Sequence, residues 1–119
     1  MIIQYLSAAT LAPMNLLVMA LAVGSGLIMG MLPGLSATMA IALLTGLTYN
    51  LPTQTALISL LGVYVGSISG GCQSAILLNI PGTPASAATA MDGFPMAKRG
   101  DGAHAIFIAT SASMLGTLL

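Results

Sequence analysis

Long apolar stretches interrupted by prolines and glycines run through most of this 119-residue chain. A helix that crosses a bilayer needs about 20 mostly apolar residues, and residues 14–32 form the first such stretch. Pro33-Gly34 interrupts it, and a shorter apolar stretch over residues 35–49 ends at a turn signal in residues 50–52. The pattern predicts two helices joined by a break.

A third apolar stretch begins after this turn. Thr53 is a predicted N-cap, and the stretch runs to about Gly70. We expect Gly70-Gly71 to break the helix, because paired glycines weaken helical structure. A short apolar segment over residues 72–80, too brief to cross a membrane alone, would then follow.

A second Pro-Gly pair, Pro81-Gly82, interrupts this short segment. Thr83 can cap the free amides of a new helix, and Pro84 at its first position loses no needed hydrogen bond. We therefore predict that a helix restarts here and continues to about Met91.

The amino-acid composition indicates whether these helices lie in water or in a membrane. The chain is 57% hydrophobic and 3% charged, whereas a soluble domain has about 25% charged residues. A soluble fold and a disordered chain are both excluded, and balanced charge argues against a nucleic-acid partner. Residues 1–91 carry no formal charge, and a polar loop is predicted at residues 92–102 before a last apolar run. All four formal charges lie in that loop: Asp92, Lys98, Arg99 and Asp101.

The sequence thus predicts an all-α membrane protein, a polytopic helical bundle with discontinuous helices, belonging to an inverted-repeat transporter fold. Residues 1–13 lack the Lys or Arg of a signal peptide, so we expect the first span to be retained. Because the chain stops within an apolar run, residues 1–119 are expected to be the N-terminal part of one transmembrane transport domain. Lys98 and Arg99 favour a cytoplasmic side for the polar loop.

Glycines recur at intervals of four in two of the apolar stretches. Gly62, Gly66 and Gly70 form two consecutive repeats, and Gly26 and Gly30 form a shorter one. Small residues on one helix face allow close helix packing in lipid. The alternative is that glycine is simply common in membrane helices.

The two Pro-Gly breaks form a partial repeat. Residues 32–38 and 80–86 both read aliphatic-Pro-Gly-x-x-Ala-[Thr/Ser]. Beyond each break, free amides and the helix dipole can bind an anion, and unwound carbonyls can coordinate a cation. Kinks that only aid packing are the alternative. The candidate substrate-binding and ion-binding residues are Pro33, Gly34, Ser36, Gly70, Gly71, Ser74, Asn79, Pro81, Gly82, Thr83 and Ser86.

Asn79 is the strongest individual candidate besides the glycines. Its amide can donate to an anion, or it can serve only to satisfy the backbone opened by Pro81; both interpretations stay open. Small hydroxyls often bond back to the preceding turn instead of a ligand. His104 is the only histidine, Cys72 the only cysteine, and glutamate is absent, so we expect no catalytic residue, no metal site, no cofactor and no enzyme.

Four segments resemble one known family, the large membrane subunit of the tripartite tricarboxylate transporters (TctA). They are residues 30–34, 62–71, 74–82 and 92–100. The resemblance implies a multi-pass secondary transporter of the bacterial inner membrane, driven by a Na⁺ or H⁺ gradient. It also implies a citrate-like carboxylate substrate, a small membrane subunit and a periplasmic solute-binding protein. The family positions carried over are Pro33, Gly34, Gly70, Gly71, Ser74, Asn79, Pro81 and Gly82.

Two other functions remain open from the residues alone. A non-transporting membrane scaffold or assembly subunit would use the glycine faces only to dock partner helices. A passive anion channel would use the same polar groups without coupling to an ion gradient.

Overall fold

The computed structural model describes residues 12–119. The N-terminal residues 1–11, which bear on the signal-peptide question, lie outside this described part. Within it the chain is helical and contains no strand, which confirms the predicted all-α membrane protein with broken helices. The helices are α1 (Pro13–Met31), α2 (Ala37–Thr48), α3 (Thr53–Leu78), α4 (Ala87–Met96) and α5 (Gly102–Leu118).

The first Pro-Gly pair separates α1 from α2, as predicted. Proline has no amide hydrogen for the helical ladder, and α1 ends two residues before Pro33. Gly34 takes a positive φ of 91°, a backbone conformation that glycine adopts without a steric penalty. Ser36 then caps α2, since its Oγ accepts a hydrogen bond of 3.3 Å from the Met39 N–H.

The break predicted at Gly70-Gly71 is wrong. α3 runs without interruption through both residues to Leu78, so residues 72–80 are mostly the last turns of a long helix. Glycine in a helix costs about 1 kcal/mol relative to alanine. Here Gly70 is buried against the Leu27 backbone and Gly71 against Thr83, and that packing offsets their low propensity. The predicted cap is also shifted, because Thr53 is the first helical residue and makes no capping bond.

α1 and α3 lie side by side and run in the same direction. A Cβ atom built on Gly26 would come within 2.5 Å of the Val63 carbonyl oxygen, and one on Gly30 would overlap the Ser67 carbonyl. The two pairs advance together along both helices, which fixes the parallel register. Only glycine allows backbone to approach this closely.

The same contact is made in the opposite direction. Cβ atoms built on Gly66 and Gly70 would overlap the carbonyl oxygens of Val23 and Leu27 in α1. Gly62 faces α1 less tightly, with the Ala22 methyl 3.0 Å from the built atom. The glycines predicted to pack helices therefore lie in the α1–α3 interface, each of the tight ones with a Cα–H directed at a carbonyl.

α2 returns antiparallel to α1 and closes a small core. Ala40 is fully buried and clusters with Ala22 and Val63, with Met29 and Leu44 packed around them. Small side chains fill this core because the helices are too close together for larger ones.

The predicted polar loop at residues 92–102 is wrong, because the backbone there is helical. α4 continues to Met96, and a wide π-type turn, Ala97–Asp101, links it to α5. Charged side chains do not by themselves end a helix, and the one non-helical residue within the turn is Gly100, with φ 93°. Asp92 therefore lies within α4, not in a turn.

Two helices of the described part are long and apolar enough to cross a membrane, α1 with 19 residues and α3 with 26. α2 is apolar but shorter. Large apolar side chains remain exposed on the outer faces of these helices, for example Leu21, Leu47 and Leu61. Exposed apolar surface of this extent fits lipid or further protein, not water.

We predict that Gly30→Ala destabilises the protein and that Gly24→Ala does not. The methyl group at residue 30 would overlap the Ser67 carbonyl, whereas the position at Gly24 is open. Overpacking of this kind costs about 1–3 kcal/mol. The measurement is the thermal unfolding midpoint of the full-length protein in detergent. Equal midpoints for the two variants would contradict the close α1–α3 contact.

Candidate functional site

The second break begins with a left-handed residue. α3 ends at Leu78, and Asn79 takes φ 57° and ψ 26°, with its N–H donating to the Ala75 carbonyl at 3.2 Å. Asparagine is one of the few residues that tolerate this conformation. Its side chain is exposed, as is Pro81 two residues later. Asn79 thus has a backbone role at the helix end besides any ligand role.

Gly82 places the tip of this break between two helices. A Cβ atom built on it would overlap the Gly30 carbonyl oxygen of α1 and would lie 2.9 Å from the Gly71 Cα of α3. The Ser74 Oγ is 3.2 Å from the same position. No larger residue fits, so the Pro81-Gly82 turn packs against both α1 and α3.

Thr83 and Ser86 form a capping box at the start of the next helix. The Thr83 N–H donates to the Ser86 Oγ at 3.3 Å, and the Ser86 hydroxyl donates to the Thr83 carbonyl at 2.8 Å. The Ser86 N–H also donates to the Thr83 carbonyl. Pro84 opens a 3₁₀ turn, Pro84–Ser86, that leads into α4. Capping therefore uses amides that the sequence suggested would be free for a ligand.

The first break is more open. Pro33 and Gly34 are exposed, and nothing lies within 4 Å of the position of a Cβ on Gly34. The Ser36 hydroxyl lies 2.7 Å from the Thr38 hydroxyl at the start of α2. The N-terminal turn of α2 therefore presents two hydroxyl groups at a helix end that carries a partial positive charge.

The second break meets the last turn of α1 at Gly30, which lies three residues before Pro33 and whose carbonyl faces Gly82. The structure brings five of the candidate residues together at this point, and all five are buried. Gly70 faces Leu27 of α1 instead, and the exposed candidates stay at the surface of the breaks. The buried group consists of Gly71, Ser74, Gly82, Thr83 and Ser86.

Ser67 is not among the candidate site residues chosen from the sequence. Its side chain is 0% exposed, and its Oγ has no hydrogen-bond partner in the described part of the chain. The usual acceptor four residues back, the Val63 carbonyl, is pressed against Gly26. The spacing of Ser67 and Ser74, two helical turns apart on the glycine-rich face, is the signal that could have found it.

No charged side chain lies among these candidate residues. The described residues also hold no cluster of His, Cys, Asp or Glu that could bind a metal. The charges lie around the π-type turn, where the Lys98 Nζ is 5.0 Å from the centre of the Phe94 ring. A ligand at the breaks would therefore be bound by uncharged donors and helix ends, which avoids burying a full charge.

Comparison with known proteins identifies the chain. Residues 16–119 match the model of the tripartite tricarboxylate transporter TctA family. The chain belongs to this TctA family. It is also similar to an uncharacterized 52.8 kDa protein in the TAR-I ttuC' 3' region of Agrobacterium vitis, with 40% identity over 103 residues.

This TctA-family chain spans 20% of the length of that relative, and the alignment covers 87% of the chain. No solved structure matches it. The family match includes both Pro-Gly breaks and every candidate residue, and it confirms the resemblance found in the sequence motifs.

We predict that Asn79→Gly preserves the fold and that Asn79→Ala destabilises it by about 1 kcal/mol, because alanine is disfavoured in the left-handed conformation. Thermal unfolding of the full-length protein measures the difference. Asn79→Gly also removes the side-chain amide without disturbing the backbone, so its activity reports on ligand binding alone. Equal destabilisation by both variants would contradict the left-handed cap.

Proposed function

We propose that the full-length protein is a secondary transporter of tricarboxylates, or related carboxylate anions, in the bacterial inner membrane. It would be a multi-pass subunit coupled to a Na⁺ or H⁺ gradient. A periplasmic solute-binding protein would deliver the substrate, and a small membrane subunit would complete the transporter. Membership of the TctA family, a family of transporters and not of enzymes, supports this proposal.

The contact of Gly82 in the second break with Gly30 in the last turn of α1, just before the first break, is the structural observation that carries the proposal. Interrupted membrane helices are typical of transporter binding sites, since irregular backbone is stable at that depth only inside protein or beside a cavity. Along the chain, α2 begins seven residues after Gly30, and the Pro84–Ser86 turn begins two residues after Gly82.

The two helix ends at the first break suit ions of opposite sign: the start of α2 suits an anion, and the end of α1 suits a cation. The hydroxyls of Ser36 and Thr38 at the start of α2 are hydrogen-bond donors for a carboxylate. The end of α1 has the opposite polarity, and the last carbonyls of that helix can contribute to cation coordination. An anion and a coupling cation bound side by side would partly neutralise each other, which lowers the free energy of holding both in a membrane.

Uptake into proteoliposomes that contain the full-length transporter tests the proposal directly. We expect labelled citrate, used as a representative tricarboxylate, to accumulate above its external concentration when a Na⁺ or H⁺ gradient is imposed. Accumulation should collapse when an ionophore dissipates that gradient. Uptake that only equilibrates the substrate would indicate a channel, and no uptake by the assembled subunits would favour a scaffold.

We also predict that Thr38→Val lowers citrate uptake about tenfold, because the loss of one hydrogen bond to a charged ligand is worth about 1.5–3 kcal/mol. The substitution keeps the side-chain shape and leaves the Met39 N–H bonded to the Ser36 Oγ at the helix cap. Thr45→Val is the matched control on the same helix, since the Thr45 hydroxyl donates to the Ile41 carbonyl on an exposed face. Equal uptake by both variants, at equal protein levels, would remove Thr38 from the site.

A further inference from the structure

α5 packs against α3 less closely than α1 does and leaves a cleft between the two helices. One part of it, about 270 Å³, reaches from Tyr64 on α3 to Thr117 on α5. A second part, about 330 Å³, extends to Asp92 on α4 beside the charged turn. The two parts are adjacent, because they share lining residues that include Cys72 and Ser113, and together they are called the α3–α5 cleft.

Besides the Tyr64 hydroxyl, three polar side chains line the 270 Å³ part of this cleft without a hydrogen-bond partner among residues 12–119: Ser69 and Gln73 on α3 and Ser113 on α5. Thr89 and Asp92 on α4 line the 330 Å³ part and also have no partner among these residues. Other hydroxyls along the cleft are satisfied locally, since Thr110 and Thr117 donate to carbonyls of their own helix. The unpartnered groups therefore come from both walls and face a shared space.

Gln73 is the most informative of the three. A side-chain amide with no partner is unfavourable at membrane depth, so it is found facing protein or a water-filled cavity. Gln73 is partly buried and lines the cleft next to Cys72. Its two N–H donors suit a carboxylate, and no acidic residue lines the 270 Å³ part.

We propose that the α3–α5 cleft is a second polar site on the route of the transported anion, where the Gln73 amide and the Ser69 and Ser113 hydroxyls bind a carboxylate group. This inference rests on the proposed function. It differs from the site at the breaks, where Thr83 and Ser86 already satisfy each other. The cleft donors are unpaired, and the second part of the cleft extends to Met96, the residue before the charged turn.

Cys72 is a native reporter for the cleft, because it is a free thiol that lines both of its parts. The experiment measures labelling by a small water-soluble methanethiosulfonate in the full-length transporter, with Cys72→Ser to identify the signal. We expect labelling of Cys72 and at least a fivefold slower rate with saturating citrate. The proposal would be overturned if Cys72 never reacts, as expected if a helix from a later part of the full-length protein covers the cleft. It would also be overturned if citrate leaves the labelling rate unchanged.

Uptake by Gln73 variants is the second test. Gln73→Glu keeps the size of the side chain but places a negative charge in the cleft, so the KM for citrate should rise about tenfold or more. Gln54→Glu is the matched control, because Gln54 is exposed at the start of α3 and lies outside the cleft. An unchanged KM in Gln73→Glu would overturn the cleft site, whereas absent uptake in the unsubstituted transporter would instead overturn the proposed function.

Discussion

The contact between glycine Cα atoms and backbone carbonyls across α1 and α3 is the constraint on which the rest of this structure depends. Lipid gives no hydrophobic driving force for two apolar helices to associate, so close packing must hold them. Each Cα–H···O contact contributes about 0.5–1 kcal/mol, and four glycines direct such contacts across the interface. They are Gly26, Gly30, Gly66 and Gly70.

The same kind of contact positions the second break. Gly82 meets the Gly30 carbonyl as closely as the interface glycines meet theirs, and Gly71 lies beside it. The end of α1 and the turn after α3 are therefore fixed relative to each other by backbone alone. This arrangement explains why the second break can approach the end of α1 without any charged or bulky side chain between them.

Polar groups in this part of the chain divide into two kinds. At the second break, Thr83 and Ser86 satisfy each other in a capping box, which stabilises the turn and uses donors that a ligand would need. Elsewhere Ser67 has no partner because packing against Gly26 occupies its usual acceptor, and Gln73 has none because α5 stands apart from α3. Burial of unpaired polar groups is unfavourable, so such groups mark places where packing or function overrides local preference.

The sequence by itself determined the class of the protein. Apolar stretches without charge require a membrane, the Pro33 and Pro81 breaks follow from the missing amide hydrogen, and the motifs around them identify the family. These features depend on each residue's own chemistry and its near neighbours. Only the tertiary structure decided that α3 passes unbroken through Gly70-Gly71 and that residues 92–101 stay helical. It alone also showed that Gly82 touches Gly30 and that Ser67 lacks a partner, because these outcomes depend on which backbone lies opposite each residue, and local sequence does not specify that neighbour.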